Sequence, residues 1–251
     1  MLENRVDVLG LPVDDISLDD AVTRVAGFIR SPSCDQVVTA DASMVVTASN
    51  DAAFLHIVKA ASLVTSDGAG ILWASRRLGL KIKNKCSGVD LAERLVAESV
   101  HQGWRVYFVG AAPGVAELAR QKMQEKYPGC AIVGARDGFF RDEDAATIAS
   151  EIAESTPDIV FVALGIPKQE KWIADVGHIT TAKVCIGVGG TLDVFSGNVT
   201  RAPVWMQKRG LEWLYRLMSD PRQMANRLRK QRLLPVFVAM VLRANRRRGL
   251  G

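Results

Sequence analysis

The sequence predicts an α/β fold: a mostly parallel sheet flanked by helices, followed by a helical, basic C-terminal appendage. Three observations carry this. Short apolar runs alternate with longer stretches of helical periodicity through the first 195 residues. Several of those runs are continuous and β-branched, as strands buried on both faces of a parallel sheet require. The charge is divided: from Ser196 onward there are 13 Lys and Arg against 2 Asp and Glu, whereas residues 1–195 hold 19 against 25. Alternating strands and helices imply βαβ units with right-handed crossovers, a Rossmann-like arrangement.

The elements follow in order. Residues 18–30 carry apolar side chains at Ala21, Val22, Val25, Ala26 and Ile29, the spacing of one helical face. Residues 36–39 and 63–65 read as the first strands of the sheet. A helix is expected over 89–100, a strand over 105–109, a helix over 115–127 and a strand over 131–133. Residues 145–152 are helical in pattern, and 159–164 and 184–188 are the last two apolar strands. Composition changes at Ser196-Gly197-Asn198, which places a domain boundary near residue 196: 1–195 form the α/β domain and 196–251 the appendage. Within the appendage, 211–218 and 222–232 read as helices separated by Asp220-Pro221. The ten apolar residues 233–242 are about half a transmembrane span, and arginines flank them on both sides. That pattern suits a helix lying in a membrane interface, with Pro235 bending or ending it. The competing expectation is that the run packs on the α/β domain or on a second subunit.

At 251 residues and 48% hydrophobic, the chain is large enough for one sizeable core. Its four cysteines, at 34, 86, 130 and 185, form no CxxC pair, and there are three histidines, so no zinc cluster is expected. Scattered thiols suit a reducing, cytoplasmic setting. The N-terminus lacks a basic segment followed by an apolar run, so no signal peptide is expected.

In parallel sheets ligands bind beyond the carboxyl ends of the strands. Four such loops combine glycine with polar groups: Val38-Thr39-Ala40-Asp41; Thr65-Ser66-Asp67-Gly68-Ala69-Gly70; Gly165-Ile166-Pro167-Lys168-Gln169-Glu170; and Gly187-Val188-Gly189-Gly190-Thr191-Leu192-Asp193. Glycine turns feeding helices offer backbone N–H groups to phosphate. Neither 187–190 nor Gly110–Gly114 has GxGxxG spacing, so a dinucleotide fingerprint is not supported. Asp67 before a helix is equally readable as an N-cap. Asp142-Glu143-Asp144 contains DxD, but acids in a first helical turn are usually dipole partners, and no metal site is expected there.

Residues 61–70, Ser87-Gly88-Val89-Asp90-Leu91, residues 165–172, residues 187–193, Arg201-Ala202-Pro203 and Gly210-Leu211-Glu212-Trp213-Leu214-Tyr215-Arg216-Leu217 together resemble the WecG/TagA/CpsF glycosyltransferase family, from about Val8 to Arg227. The resemblance implies an inverting, metal-independent transfer from a UDP-sugar to a polyprenyl-diphosphate-linked sugar. The transferred sugar would be N-acetylmannosamine, its uronic acid or a related hexose, in teichoic acid or cell-surface polysaccharide synthesis. No cofactor is implied, since the UDP-sugar is a substrate. Residue by residue, Asp67 matches the family's proposed general base, and Thr39 and Gln169 match polar residues lining the site. Lys85 stands where the family usually has arginine, keeping the charge without the bidentate fork. Asp41 replaces a usual asparagine.

Asp67, Thr39, Gln169 and Lys85 are thus the catalytic candidates. Asp41, Gly68, Gly110, Gly165, Lys168, Gly189 and Asp193 on the loops, with Arg201, Arg216 and Arg222 beyond them, are the substrate-binding candidates. Expected partners are the UDP-sugar, the lipid-linked acceptor and an anionic membrane surface at the inner face of the cell membrane, with no nucleic acid and with room for a homo-oligomer. Two other readings compete. A Rossmann-like oxidoreductase would need the absent glycine fingerprint and a ribose-binding acid. A nucleic-acid-binding protein would use the basic tail alone and show salt-sensitive binding to RNA or DNA.

Overall fold

The computed structural model describes residues 5–203, 206, 215 and 233–249. The chain begins with a hairpin, β1 (Arg5–Val8) and β2 (Leu11–Asp14), then α1 (Leu18–Ile29). The main sheet is built from β3 (Asp35–Ala40), β4 (Leu63–Ser66), β5 (Arg105–Gly110), β6 (Ala131–Arg136), β7 (Ile159–Ala163) and β8 (Val184–Gly187). Their spatial order is β4-β3-β8-β7-β5-β6, and all five pairings are parallel. The connecting helices are α2 (Ala42–Asn50), α3 (Ala52–Ala60), α4 (Ala69–Arg77), α5 (Gly88–Gln102), α6 (Val115–Lys126), α7 (Ala145–Glu154), α8 (Lys168–Val176) and α9 (Thr191–Phe195). A further helix, α10, spans Leu233–Arg247.

Alternate strand residues serve opposite faces, which is why the runs are apolar throughout. Phe108 and Phe161 stack at 5.7 Å and pack with α5, α6 and α9, while Val109, Val160 and Val162 pack with α7 and α8. Around β3 and β4, Val38, Ala40 and Val64 meet α2, α3, α4, α10 and the hairpin. All six sheet strands stand where the apolar runs place them; four extend by one to three residues at an end, and β7 and β8 each stop one residue short. The hairpin was not expected from the sequence. Its turn uses Leu9 and Gly10, both at positive φ, the two-residue geometry that matches strand twist. It guards the edge strand β4: Asp14 holds Arg5 at 2.9 Å and accepts from the Val64 N–H at 2.8 Å.

α10 corrects one expectation. Among the described residues α10 continues past Pro235 to Arg247, so Pro235 does not end it. Phe237, Val241 and Asn245, spaced four apart, are buried against α2 and α4. Gly70 permits that packing, because a Cβ there would lie 2.8 Å from the Ala42 Cβ and 3.7 Å from the Phe237 ring. The opposite face leaves Val236 and Leu242 exposed beside Arg243, Arg246 and Arg247. No helix among the described residues is long and apolar enough to cross a membrane. The expected helices over 211–218 and 222–232, and with them Arg216 and Arg222, lie outside the described residues.

Candidate active site

The carboxyl edge of the sheet gathers the four glycine loops, as a parallel topology dictates. Asp67 follows β4, and its N–H donates to the Ala40 carbonyl at 2.7 Å, extending the β3–β4 ladder by one residue. Asp67 is not the N-cap of the helix it precedes. That cap is Gly68, at φ +84°, with no side-chain hydrogen bond. The Asp67 carboxylate instead crosses to α5, where Oδ2 accepts the Gly88 N–H at 3.3 Å. The segment that delivers Gly88 is laced to the end of β4: the Cys86 N–H donates to the Ser66 carbonyl at 3.0 Å, and the Ser66 hydroxyl donates to the Asn84 carbonyl. Burial first, and then the Asp67 and Asp90 carboxylates, push the Cys86 thiol up to about 12, so it stays protonated beside the site.

Thr39 is the next-to-last residue of β3, one strand away. Its hydroxyl donates to the Gly187 carbonyl at 2.8 Å, tying β3 to β8. Gly88 lets this happen, since a Cβ there would sit 3.1 Å from the Thr39 oxygen. Thr39, Asp67 and Gly88 therefore form one packed cluster. Asp41 has a local duty: its Oδ1 caps α2, accepting from the Met44 N–H at 2.9 Å and the Ser43 hydroxyl at 2.6 Å.

Gln169 is almost fully buried in the first turn of α8. Its Oε1 accepts both the Gly165 N–H at 3.2 Å and the Gly189 N–H at 3.0 Å, and its Nε2 donates to Glu170 Oε1 at 2.7 Å. Those two N–H groups, expected to face a phosphate, are thus already engaged. Lys168, one residue earlier, turns away from this cluster. It pairs with Asp142 at 3.3 Å and lies over the Phe140 ring at 5.1 Å. The remaining acids of the DxD stretch are paired as well, since Arg141 holds Glu143 at 2.5 Å and Asp144 at 3.2 Å. Gly110 has φ +128°, and a Cβ there would strike the Ala163 backbone at 2.5 Å, so only glycine lets β5 and β7 end side by side.

Lys85 and Arg201 both act on Asp90 at the mouth of α5. Arg201 pairs with Asp90 at 2.6 Å; Asp90 accepts from the Ser87 hydroxyl at 2.5 Å, and Ser87 caps α5 by accepting the Asp90 N–H at 3.3 Å. Burial alone would raise the Asp90 carboxyl, but Arg201, the Ser87 hydroxyl and Lys85 together hold it below its ordinary value. The α5 terminus that supports Asp67 is thereby tied to the chain leaving the α/β domain. Asp193 lies in α9, after the glycine turn, with its carboxylate 3.9 Å from where a Gly190 Cβ would be.

The other end of the edge is open. Arg136, Phe139, Phe140, Arg141 and Lys168 line a groove of ≈730 Å³, within the roughly 300–1,000 Å³ range of small-ligand sites. Phe139 is 75% exposed, while Gly138 behind it is pressed against Gly110 and Leu164. Sequence reasoning missed this aromatic pair, as it missed the roles of Gly88 and Glu170. The one available signal was two consecutive phenylalanines between Gly138 and Arg141, in a stretch with no helical or strand period.

Comparison with known proteins follows the same lines. The family described as "Glycosyl transferase WecG/TagA/CpsF family" matches residues 6–250. A Bacillus spizizenii protein named "N-acetylglucosaminyldiphosphoundecaprenol N-acetyl-beta-D-mannosaminyltransferase" is 33% identical over 241 residues, covering 94% of this chain and 91% of its own. A Staphylococcus aureus protein of the same name is 32% identical over 247 residues, covering 97% and 94%.

Proposed function

The chain belongs to the WecG/TagA/CpsF family and is a glycosyltransferase, and on that premise we propose that it moves a sugar from a UDP-linked donor to a polyprenyl-diphosphate-linked sugar, with inversion and without a metal ion. The names of the relatives support N-acetylmannosamine as the transferred sugar and N-acetylglucosaminyl-diphospho-undecaprenol as the acceptor. One observation carries the chemistry: Asp67 stands at the carboxyl edge with its carboxylate held by the Gly88 N–H, released from capping its own helix.

In this reading the acceptor hydroxyl attacks the anomeric carbon as its proton passes to Asp67. The bond from that carbon to the diphosphate oxygen breaks, and UDP leaves. A positioned carboxylate base of this kind contributes roughly 10²–10⁴-fold. The leaving diphosphate takes its compensation from cations and backbone amides. Lys85 and Arg201 stand at the mouth of α5, and Arg216 and Arg222 follow in the appendage. The uridine extends along the edge toward Phe139, where an exposed ring amid Arg136, Arg141 and Lys168 suits a base and its phosphates. From Asp67 beyond β4 to Phe139 beyond β6 are five strand steps, about 24 Å at ~4.8 Å each. That span takes an extended nucleotide sugar plus the incoming acceptor.

The exposed face of α10, with Val236, Leu242 and three arginines, supports reversible attachment to an anionic membrane at its cytoplasmic face. The decisive experiment incubates purified protein separately with UDP-N-acetylmannosamine, UDP-N-acetylglucosamine and UDP-glucose, each with a short-chain N-acetylglucosaminyl-diphospholipid. Product mass is then read. A product one N-acetylhexosamine heavier from the first donor is expected; no product from any UDP-sugar would reject the reading.

A further inference from the structure

We propose that Glu170 is a positioning residue that fixes the Gln169 amide, and that Gln169 acts as a clamp holding the two glycine loops on either side of the donor diphosphate. The inference rests on the UDP-donor reading for what the loops hold, but its geometry stands without it. Gln169 has one acceptor and two donor hydrogens on its amide. Two N–H groups, from Gly165 and Gly189, converge on one end of that amide at 3.2 and 3.0 Å. Only oxygen satisfies them, because a flipped amide would set donor against donor. The other end must then be NH2, and it meets the Glu170 carboxylate at 2.7 Å. A carboxylate only accepts, so it reads the amide in one sense and rejects the flip.

The surroundings are shaped for this pair. Glu170 is fully buried, its backbone carbonyl accepts from the Gln36 side chain at 3.1 Å, and both side chains lie under the end of β8. That strand ends in Gly187, where a Cβ would sit 2.7 Å from Gln169 Nε2 and 3.2 Å from Glu170 Oε1. The chain thus gives up a side chain at Gly187 and buries a carboxylate, a combination that costs stability unless the pair is needed. The gain is that the β7–α8 and β8–α9 loops share one oxygen, so each fixes the other. Both flank the middle of the sheet edge, between Asp67 and the Phe139 groove.

The test exchanges the two functional groups. Gln169→Glu sets two carboxylates against each other at the same distance and should weaken UDP binding by about 10-fold or more. Adding Glu170→Gln returns one amide and one carboxylate with the polarity reversed. A carboxylate at 169 still accepts both loop N–H groups, and the amide at 170 donates back to it. The double variant should recover UDP binding relative to Gln169→Glu, since the hydrogen bonds that join residues 165, 189, 169 and 170 are remade. If it folds and remains as weak as Gln169→Glu, the Gln169 amide itself touches ligand and the clamp is wrong. Unchanged UDP binding in Gln169→Glu would also overturn it.

A ligand-free measurement keeps the two readings apart. Hydrogen exchange on wild-type protein should find the Gly165 and Gly189 amides protected without nucleotide. The protection should be lost in Gln169→Glu and regained in the double variant. Rapid exchange of both amides in the wild type rejects the clamp whatever the variants do. If wild type shows this protection and yet binds no UDP, the donor reading fails and the clamp survives.

Discussion

From the β4 end of the carboxyl edge to its middle, polar side chains are buried and bonded to backbone: Thr39 to Gly187, Gln169 to Gly165 and Gly189. At the β6 end, Phe139 stands in solvent, and Arg141 and Lys168 are held by partly exposed ion pairs. Such pairs contribute little, about 0–1 kcal/mol, and part readily. The difference suits a division of labour. Proton transfer tolerates little misplacement, so its groups are fixed in advance. Capture of a nucleotide gains from side chains that can close over it.

The largest effect that would sharpen this contrast lies at the fixed end. Asp67→Asn keeps an oxygen for the Gly88 N–H and leaves the Gly68 cap of α4 untouched, so the fold should persist. Transfer should fall by about 10³-fold, inside the range for losing a general base. Steady-state rates with thermal unfolding as control decide it. Turnover within a few-fold of wild type removes Asp67 from the chemistry.

The second effect concerns α10, whose two faces repeat the contrast. Deleting the chain from Leu233 would uncover the core around Phe237 and Val241, two side chains worth roughly 1.5–3 kcal/mol each, so truncation reports on stability before it reports on membranes. The informative variant is Arg243→Gln with Arg246→Gln and Arg247→Gln, all on the exposed side. Three cations at about 1 kcal/mol each predict a loss of roughly 100-fold in partitioning onto anionic vesicles at low salt. Sedimentation with vesicles measures it. Equal binding of variant and wild type would leave the exposed face without a membrane role.

The open end predicts a smaller change of a different kind. Phe139→Ala removes an exposed ring, so folding should be unaffected. A base stacked on an aromatic ring is worth about 1–3 kcal/mol, and the KM for the donor should rise about 10-fold with kcat nearly kept. A fall in kcat at constant KM would place Phe139 in the reaction step and blur the division between the two ends.

How much of this could be read in the sequence differs between the same two ends. The six strands were legible because β7 and its neighbours are apolar on both faces, which leaves an unbroken run. Asp67, Thr39 and Gln169 could be placed on the loops at the ends of such runs, but it was the family resemblance that singled them out there. The hairpin was not, since four-residue strands with Pro12 between Leu11 and Val13 show too little alternation to register. The hold on Asp67 was also hidden: it is a backbone N–H from another helix, and a backbone group has no signature in residue type. Phe139 was hidden for the opposite reason, because an exposed ring in a loop has no period to betray it.

The smallest expected effect concerns the acids at the open end. Asp142 and Asp144 form a DxD, the pattern with which a sugar transferase would hold a divalent ion. Here Asp142 pairs with Lys168, and Asp144 with Arg141, whose guanidinium holds that carboxyl below its ordinary value. Among the described residues no group of three or more His, Cys, Asp or Glu is placed to hold an ion. A metal at Asp142 and Asp144 would first have to displace two cations, and the leaving diphosphate has arginines and lysine within the same sequence to answer its charge. Asp142→Ala with Asp144→Ala should therefore change kcat/KM by no more than about threefold, the scale of surface pairs near 0–1 kcal/mol. Its direction is informative: freeing Lys168 and Arg141 beside the Phe139 groove should lower the donor KM slightly. Activity of wild type should persist in excess EDTA. Loss in EDTA with rescue by Mg²⁺ or Mn²⁺, together with a large defect in the double variant, would move the diphosphate to this acidic turn. It would then make the open end, not the β4 end, the place where the charge of the reaction is met.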